Sequence, residues 1–153
     1  MMNRPAAGPD PGPDARLRVM RMVWAGFLIT VGLFVLVTRF ARPGAEARAE
    51  TAVGNATVLY VLAGLALSSV AASFALKSVF YKRAAEQQKP DVLQTGFILA
   101  LALCESAVLF GLAGLFITWD DYAYGLFALG ALGEALHFPR REQVTPAYFK
   151  PGM

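Results

Sequence analysis

Three ionisable side chains lie in apolar surroundings, and they carry most of the chemistry available to this chain. Glu105 sits almost at the midpoint of the 28-residue stretch from Val92 to Trp119, where every other residue is apolar or small except Gln94, Thr95, Ser106 and Thr118. Glu134 and His137 are three residues apart in another apolar stretch, 122–138, and so share one helical face. Withdrawal from water disfavours the charged form of a carboxyl, so Glu105 is expected to be neutral for much of the time and to exchange a proton when its surroundings change. A structural role is the alternative: protonated Glu105 bonds a neighbouring helix through Ser106, Ser68 or Ser69 and acts as a polar clasp. Glu134, six residues before Arg140, reads either as an interface-facing partner of His137 or, turned inward, as a second group on a proton path with Glu105.

Other chemistry is poorly supplied. His137 is the only histidine and Cys104 the only cysteine, which leaves no ligand set for a metal and no intrachain disulfide. Asp120 and Asp121 read as a solvated turn, because a hard cation needs several oxygen ligands. The chain has no Walker loop, no His-Glu-x-x-His and no Gly-x-Ser-x-Gly, so no catalytic activity, metal or cofactor is expected. Nor does a net charge of +3 over 153 residues point to nucleic acid as a partner.

The elements that must position these groups follow from hydropathy. The sequence is 56% hydrophobic and 16% charged, and its apolar residues come in long uninterrupted runs, the signature of membrane spans. Residues 1–17 are expected to be a disordered Pro/Gly-rich tail on the cytoplasmic side. Four spans follow at about 20–39, 57–79, 93–118 and 122–138, and then a second cytoplasmic tail, 139–153. At roughly 1.5 Å per residue, the third exceeds a hydrocarbon layer of about 30 Å and carries Glu105 near its centre. An ionised side chain there costs about 2.5 to 3.5 kcal/mol on insertion scales, which makes the residue a functional candidate.

The first span, Met22 to Thr38 between Arg21 and Arg39, is short enough to need snorkelling of both arginines. It also fits a cleavable secretory leader before Ala45-Glu46-Ala47, although three further spans favour its retention. Past Lys77 the second span is expected to continue as an interfacial helix toward Gln88. Its residues Gly64, Ser68 and Ala72 recur every fourth position; with Ala107 and Gly111 of the third span they are candidate helix-packing positions. That stripe serves either packing within the chain or a ring- or dimer-forming face. Asn55-Ala56-Thr57 matches a glycosylation sequon, a weak signal this close to a span.

Basic residues set the orientation. With a cytoplasmic N-terminus, Arg4, Arg16, Arg18, Arg21, Lys77, Lys82, Arg83, Lys89, Arg140, Arg141 and Lys150 fall inside, and only Arg39, Arg42 and Arg48 fall outside. Eleven against three is a strong positive-inside bias. The expected fold class is all-α, an integral membrane four-helix bundle with both termini in the cytoplasm. Lacking eukaryotic sorting signals, it is expected to be a multi-pass protein of a bacterial inner (plasma) membrane. Its partners are the lipid bilayer and either further copies of itself or the other subunits of a membrane complex.

Within residues 59–118, the small-residue stripe leads to a polar loop, Gln88-Lys89-Pro90-Asp91. A helix then reads Ala100-Leu101-Ala102-Leu103-Cys104-Glu105-Ser106-Ala107, continuing to Gly111-Leu112. This hairpin resembles that of the rotary ATP synthase subunit c, the membrane proteolipid. The resemblance implies that Glu105 takes the place of the ion-binding carboxylate and Pro90 that of the loop proline, on the cytoplasmic side. Gln88-Lys89 stands where that family has Arg-Gln, and two further spans flank the hairpin here. The functional expectation is a non-catalytic structural or accessory membrane protein with Glu105 as a buried clasp. The alternative is a subunit-c-like protein that binds and translocates protons through Glu105.

Overall fold

Between residues 14 and 42, 57 and 87, and 92 and 118 the sequence contains no proline, so nothing stops three long apolar helices from forming. The computed structural model describes residues 12–42, 44 and 56–149, and these are helical, with no strand among them. In chain order they form α1 (Pro13–Phe40), α2 (Ala56–Gln87), α3 (Pro90–Thr118), a 3-10 turn (Asp121–Ala123), α4 (Tyr124–Leu136), α5 (Arg141–Val144) and a last 3-10 turn (Thr145–Ala147). Proline opens both α1 and α3, where its fixed φ fits and its missing N–H is not needed. α3 closes on Trp119, in the left-handed region at φ 50°, and the Asp120 side chain then accepts from the Tyr122 N–H at 3.0 Å to start the next turn.

α1, α2 and α3 are long and apolar enough to cross a membrane. Of the three, α3 is the central one: 44% of its most apolar window is buried, against 11% in α1 and 17% in α2. α2 and α3 form an antiparallel hairpin around Gln88 and Lys89. α1 runs parallel to α3, since Arg16 reaches Asp91 and Gln94 at the start of α3 while Arg42 pairs with Asp121 beyond its end. α4 lies on α3 between α1 and α2, which scarcely touch each other. Large apolar side chains such as Met22, Ile29, Leu33 and Leu67 face outward, whereas Ser73, Glu134 and His137 are buried. That distribution is the reverse of the one water imposes on a soluble domain.

Several expectations need correction. α1 begins at Pro13 and buries Arg16 and Leu17, so the proposed N-terminal tail is shortened; residues 1–11 lie outside the described residues. The expected span 122–138 is a helix of 13 residues, about 20 Å long and short of the roughly 30 Å needed. It stops because Pro139 has no N–H to donate and pushes Phe138 away from helical backbone. Nor is the segment after it a tail. Val144 and Ala147 are buried in a cluster with Leu17, Met20, Ala84, Leu93, Phe97 and Leu101. Gln88 Nε2 donates to the Pro146 carbonyl at 3.0 Å and Arg16 Nε to the Tyr148 hydroxyl at 2.9 Å. Asn55 of the sequon and Ala45 to Ala47 of the leader-like site lie outside the described residues.

Glycine decides how closely α4 approaches α3. A Cβ on Gly130 would overlap Val108 Cγ2 and sit 2.9 Å from the Cys104 carbonyl, and one on Gly133 would sit 2.9 Å from Cys104 Sγ. Gly64, by contrast, has nothing within 4 Å of that position. Gly130→Ala is therefore expected to push the two helices apart and cost about 1 to 3 kcal/mol in unfolding measurements on detergent-solubilised protein. Gly64→Ala should be neutral or slightly stabilising through helix propensity.

Candidate functional site

The close approach of α4 to α3 brings Glu105 and Glu134 together. Glu134, one position after Gly133, is completely buried. Its carboxyl faces that of Glu105 closely enough for the two to interact as a pair. Neither Glu134 oxygen, nor Glu105 Oε2, has a hydrogen-bond partner among the described residues. Two carboxylates cannot bond each other, because each offers only acceptors, but a single proton placed between them supplies the missing donor. Like charges so close in a low-dielectric setting cannot both be kept ionised at modest cost.

His137 completes the cluster one helical turn further on. Its ring is wholly buried, with Nδ1 2.7 Å from the Gly133 carbonyl. A carbonyl only accepts, so Nδ1 carries the hydrogen and donates it. Nε2 has no hydrogen-bond partner among the described residues. The Phe74 ring covers the imidazole at 4.4 Å between centroids. Ser73, itself fully buried, donates to the Val70 carbonyl at 2.6 Å and receives the Cys104 thiol at 3.4 Å. The expectation that Glu134 and His137 face the interface as a hydrated pair is thus corrected: both are inside, held there by the glycines that let α4 in.

The end of α4 is satisfied from α1. The Glu134 carbonyl accepts from the Trp24 indole N–H at 2.7 Å and from the His137 N–H at 3.0 Å. Trp24 also meets Phe138 edge-on, with ring centroids 5.0 Å apart. A helix terminus inside a bundle needs such partners, because its last carbonyls have none of their own.

Two of the three serines named as clasp partners bond elsewhere. Ser106 Oγ donates to the Ala102 carbonyl and Ser68 Oγ to the Leu65 carbonyl, each within its own helix. Glu105 faces another acid. Of the packing positions, Ala107 and Gly111 are buried, and a Cβ on Gly111 would meet Phe127 at 3.0 Å. Gly64, Ser68 and Ala72 are exposed, because α2 turns Ala66, Val70 and Ser73 inward instead. Asp120 and Asp121 cap a turn and pair with Arg42. No group of three or more His, Cys, Asp and Glu side chains among the described residues is arranged to hold a metal. Trp24, Ser73, Cys104 and Lys77 escaped the reading by residue type. A signal existed for two of them: Ser73, Lys77 and Tyr81 recur every fourth residue as a polar line along an apolar helix.

Set beside family models, curated proteins and solved structures, the chain matches none of them.

Trp24→Phe keeps the ring contact with Phe138 and removes the indole donor. Because the Glu134 carbonyl retains its bond from His137, the expected loss is about 0.5 to 1.5 kcal/mol in unfolding free energy, measured in detergent micelles.

Proposed function

We propose that this chain is a multi-pass protein of a bacterial inner membrane, non-catalytic, in which Glu105 and Glu134 form a proton-dependent clasp between helices. The observation that carries this reading is the facing of two carboxyls with no described cation between them. With one proton the pair is a hydrogen bond that holds α4 on α3; with none it is two like charges in an apolar setting, and α4 is driven away. Such a part suits an accessory or structural subunit whose packing responds to protonation. In this reading α4 and residues 137–149 together make the fourth crossing, with both termini in the cytoplasm. The eleven-to-three distribution of basic residues supports that orientation.

A relay through the membrane is less well supported. Toward the Trp119 end, the pair is followed by Ala107, Val108, Leu126, Phe127 and Leu115, all buried and apolar. One feature favours translocation in the manner of subunit c: Glu105, unlike Glu134, is only partly buried and so keeps some access to its exterior.

Glu105→Gln and Glu134→Gln test both readings in reconstituted vesicles. The infrared absorption of a protonated carboxyl is expected in the parent protein and lost in each variant, with proton flux unchanged throughout. An amide at position 105 donates to the Glu134 carboxylate without needing a shared proton, so Glu105→Gln is expected to keep α4 on α3. Absence of a protonated carboxyl sinks the clasp, whereas flux abolished by Glu105→Gln establishes the translocating reading in its place.

A further inference from the structure

Because α4 stops at Leu136, the non-helical segment 137–140 takes its place between α1 and α2, next to the cluster in which Val144 and Ala147 meet Leu17, Met20 and Ala84. Three cations surround that segment. Arg21 of α1 lies over the Phe138 ring, 5.4 Å from its centroid. Lys77 of α2, its Nζ 5.3 Å from the Tyr81 ring centroid, is close enough to Arg140 for the two charges to repel, and it also acts on His137. None of the three pairs with a described carboxylate; the ion pairs of the described residues are made by Arg16, Arg42 and Arg141.

Like charges held together beside an apolar surface are unfavourable unless an anion joins them. The walls indicate which anion. Phe74, Leu136 and Phe138 are 41%, 62% and 37% exposed, so the cations border open apolar surface. That apolar surface continues along α2 through Leu67, two turns from Phe74, and along α1 through Ile29, about two turns from Arg21, both of them exposed. A free phosphate would use the cations and leave these walls bare. A phospholipid uses both, with its phosphate among the cations and its chains along the helices.

We propose that Arg21, Lys77 and Arg140 form a seat for the headgroup of an anionic phospholipid, on the exposed apolar surface beside segment 137–140. Basic pockets between membrane helices on the cytoplasmic side are suited to such headgroups. The seat rests on the membrane reading and is independent of the acid pair.

The test uses the full chain in nanodiscs of phosphatidylcholine with and without phosphatidylglycerol, reading the thermal midpoint and the lipid retained in native mass spectra. Phosphatidylglycerol is expected to raise the midpoint and stay bound. Lys77→Gln with Arg140→Gln should weaken its retention about tenfold, as should the exposed single change Arg140→Gln in lesser degree. Lys82→Gln with Arg83→Gln removes the same charge from exposed positions of α2 and should leave retention intact. Equal losses in the two double variants would mean diffuse surface attraction and overturn the seat. So would full stabilisation by inorganic phosphate in phosphatidylcholine alone, which would assign the cations to a free anion. A chain that enters neither bilayer overturns the membrane reading and the seat together; one that enters both and retains neither lipid overturns the seat alone.

Discussion

The contact on which the rest of the structure depends is the one between α4 and α3 at Gly130 and Gly133. Without a Cβ at these positions α4 rests directly on the backbone around Cys104 and Val108. Glu134 follows Gly133 in sequence, so the same approach that packs the helices also buries its carboxyl against Glu105. Packing and chemistry are thus a single event here. A looser pair of helices would leave room for water around both acids, and each could then be charged without penalty.

The early end of α4 is the second constraint. Pro139 forbids another turn, and the helix terminus falls within the bundle, where unpaired backbone groups are costly. The structure answers with one side chain from α1 and one from the cap of α4 itself: the Trp24 indole on the Glu134 carbonyl and the His137 imidazole on the Gly133 carbonyl. Irregular backbone inside a bundle has to be enclosed by protein, and Pro139 is indeed among the fully buried residues. Beyond it the chain returns to the α2–α3 turn, where Arg16 joins three elements through Asp91, Gln94 and Tyr148. A buried guanidinium is stable there because it meets a carboxylate and two further acceptors.

At the opposite end the fastenings are lighter. Tyr124 donates to Thr38 at 3.3 Å and lies beneath Arg39, whose guanidinium is 5.1 Å from the ring centroid. Arg42 pairs with Asp121 on the surface. Between these two ends the bundle is held by apolar contact, with α2 and α3 meeting most extensively and α1 presenting much of its apolar surface outward. Polar fixings at both ends and close contact in the middle keep α4 in register with α3, and register is what aligns the two acids.

By itself the sequence determined the helical class, the three long apolar helices and Glu105 as an acid amid apolar neighbours, because hydropathy and the spacing of prolines are properties of the chain read locally. It also marked Glu134 and His137 as neighbours on one face, since helical periodicity needs no tertiary information. Only the tertiary structure decided that these two groups turn inward, that Glu105 faces another acid, and that Gly64, Ser68 and Ala72 of α2 face out. Each of those outcomes depends on how far apart two helices stand, and that distance is set by side chains meeting across elements remote in sequence, from Gly133 against Cys104 to Trp24 against Glu134. Proline 139 was visible as a residue, but its effect was not: residues 139–149 pack as part of the bundle because the shortened α4 leaves apolar surface on α2 and α3 that Val144 and Ala147 cover.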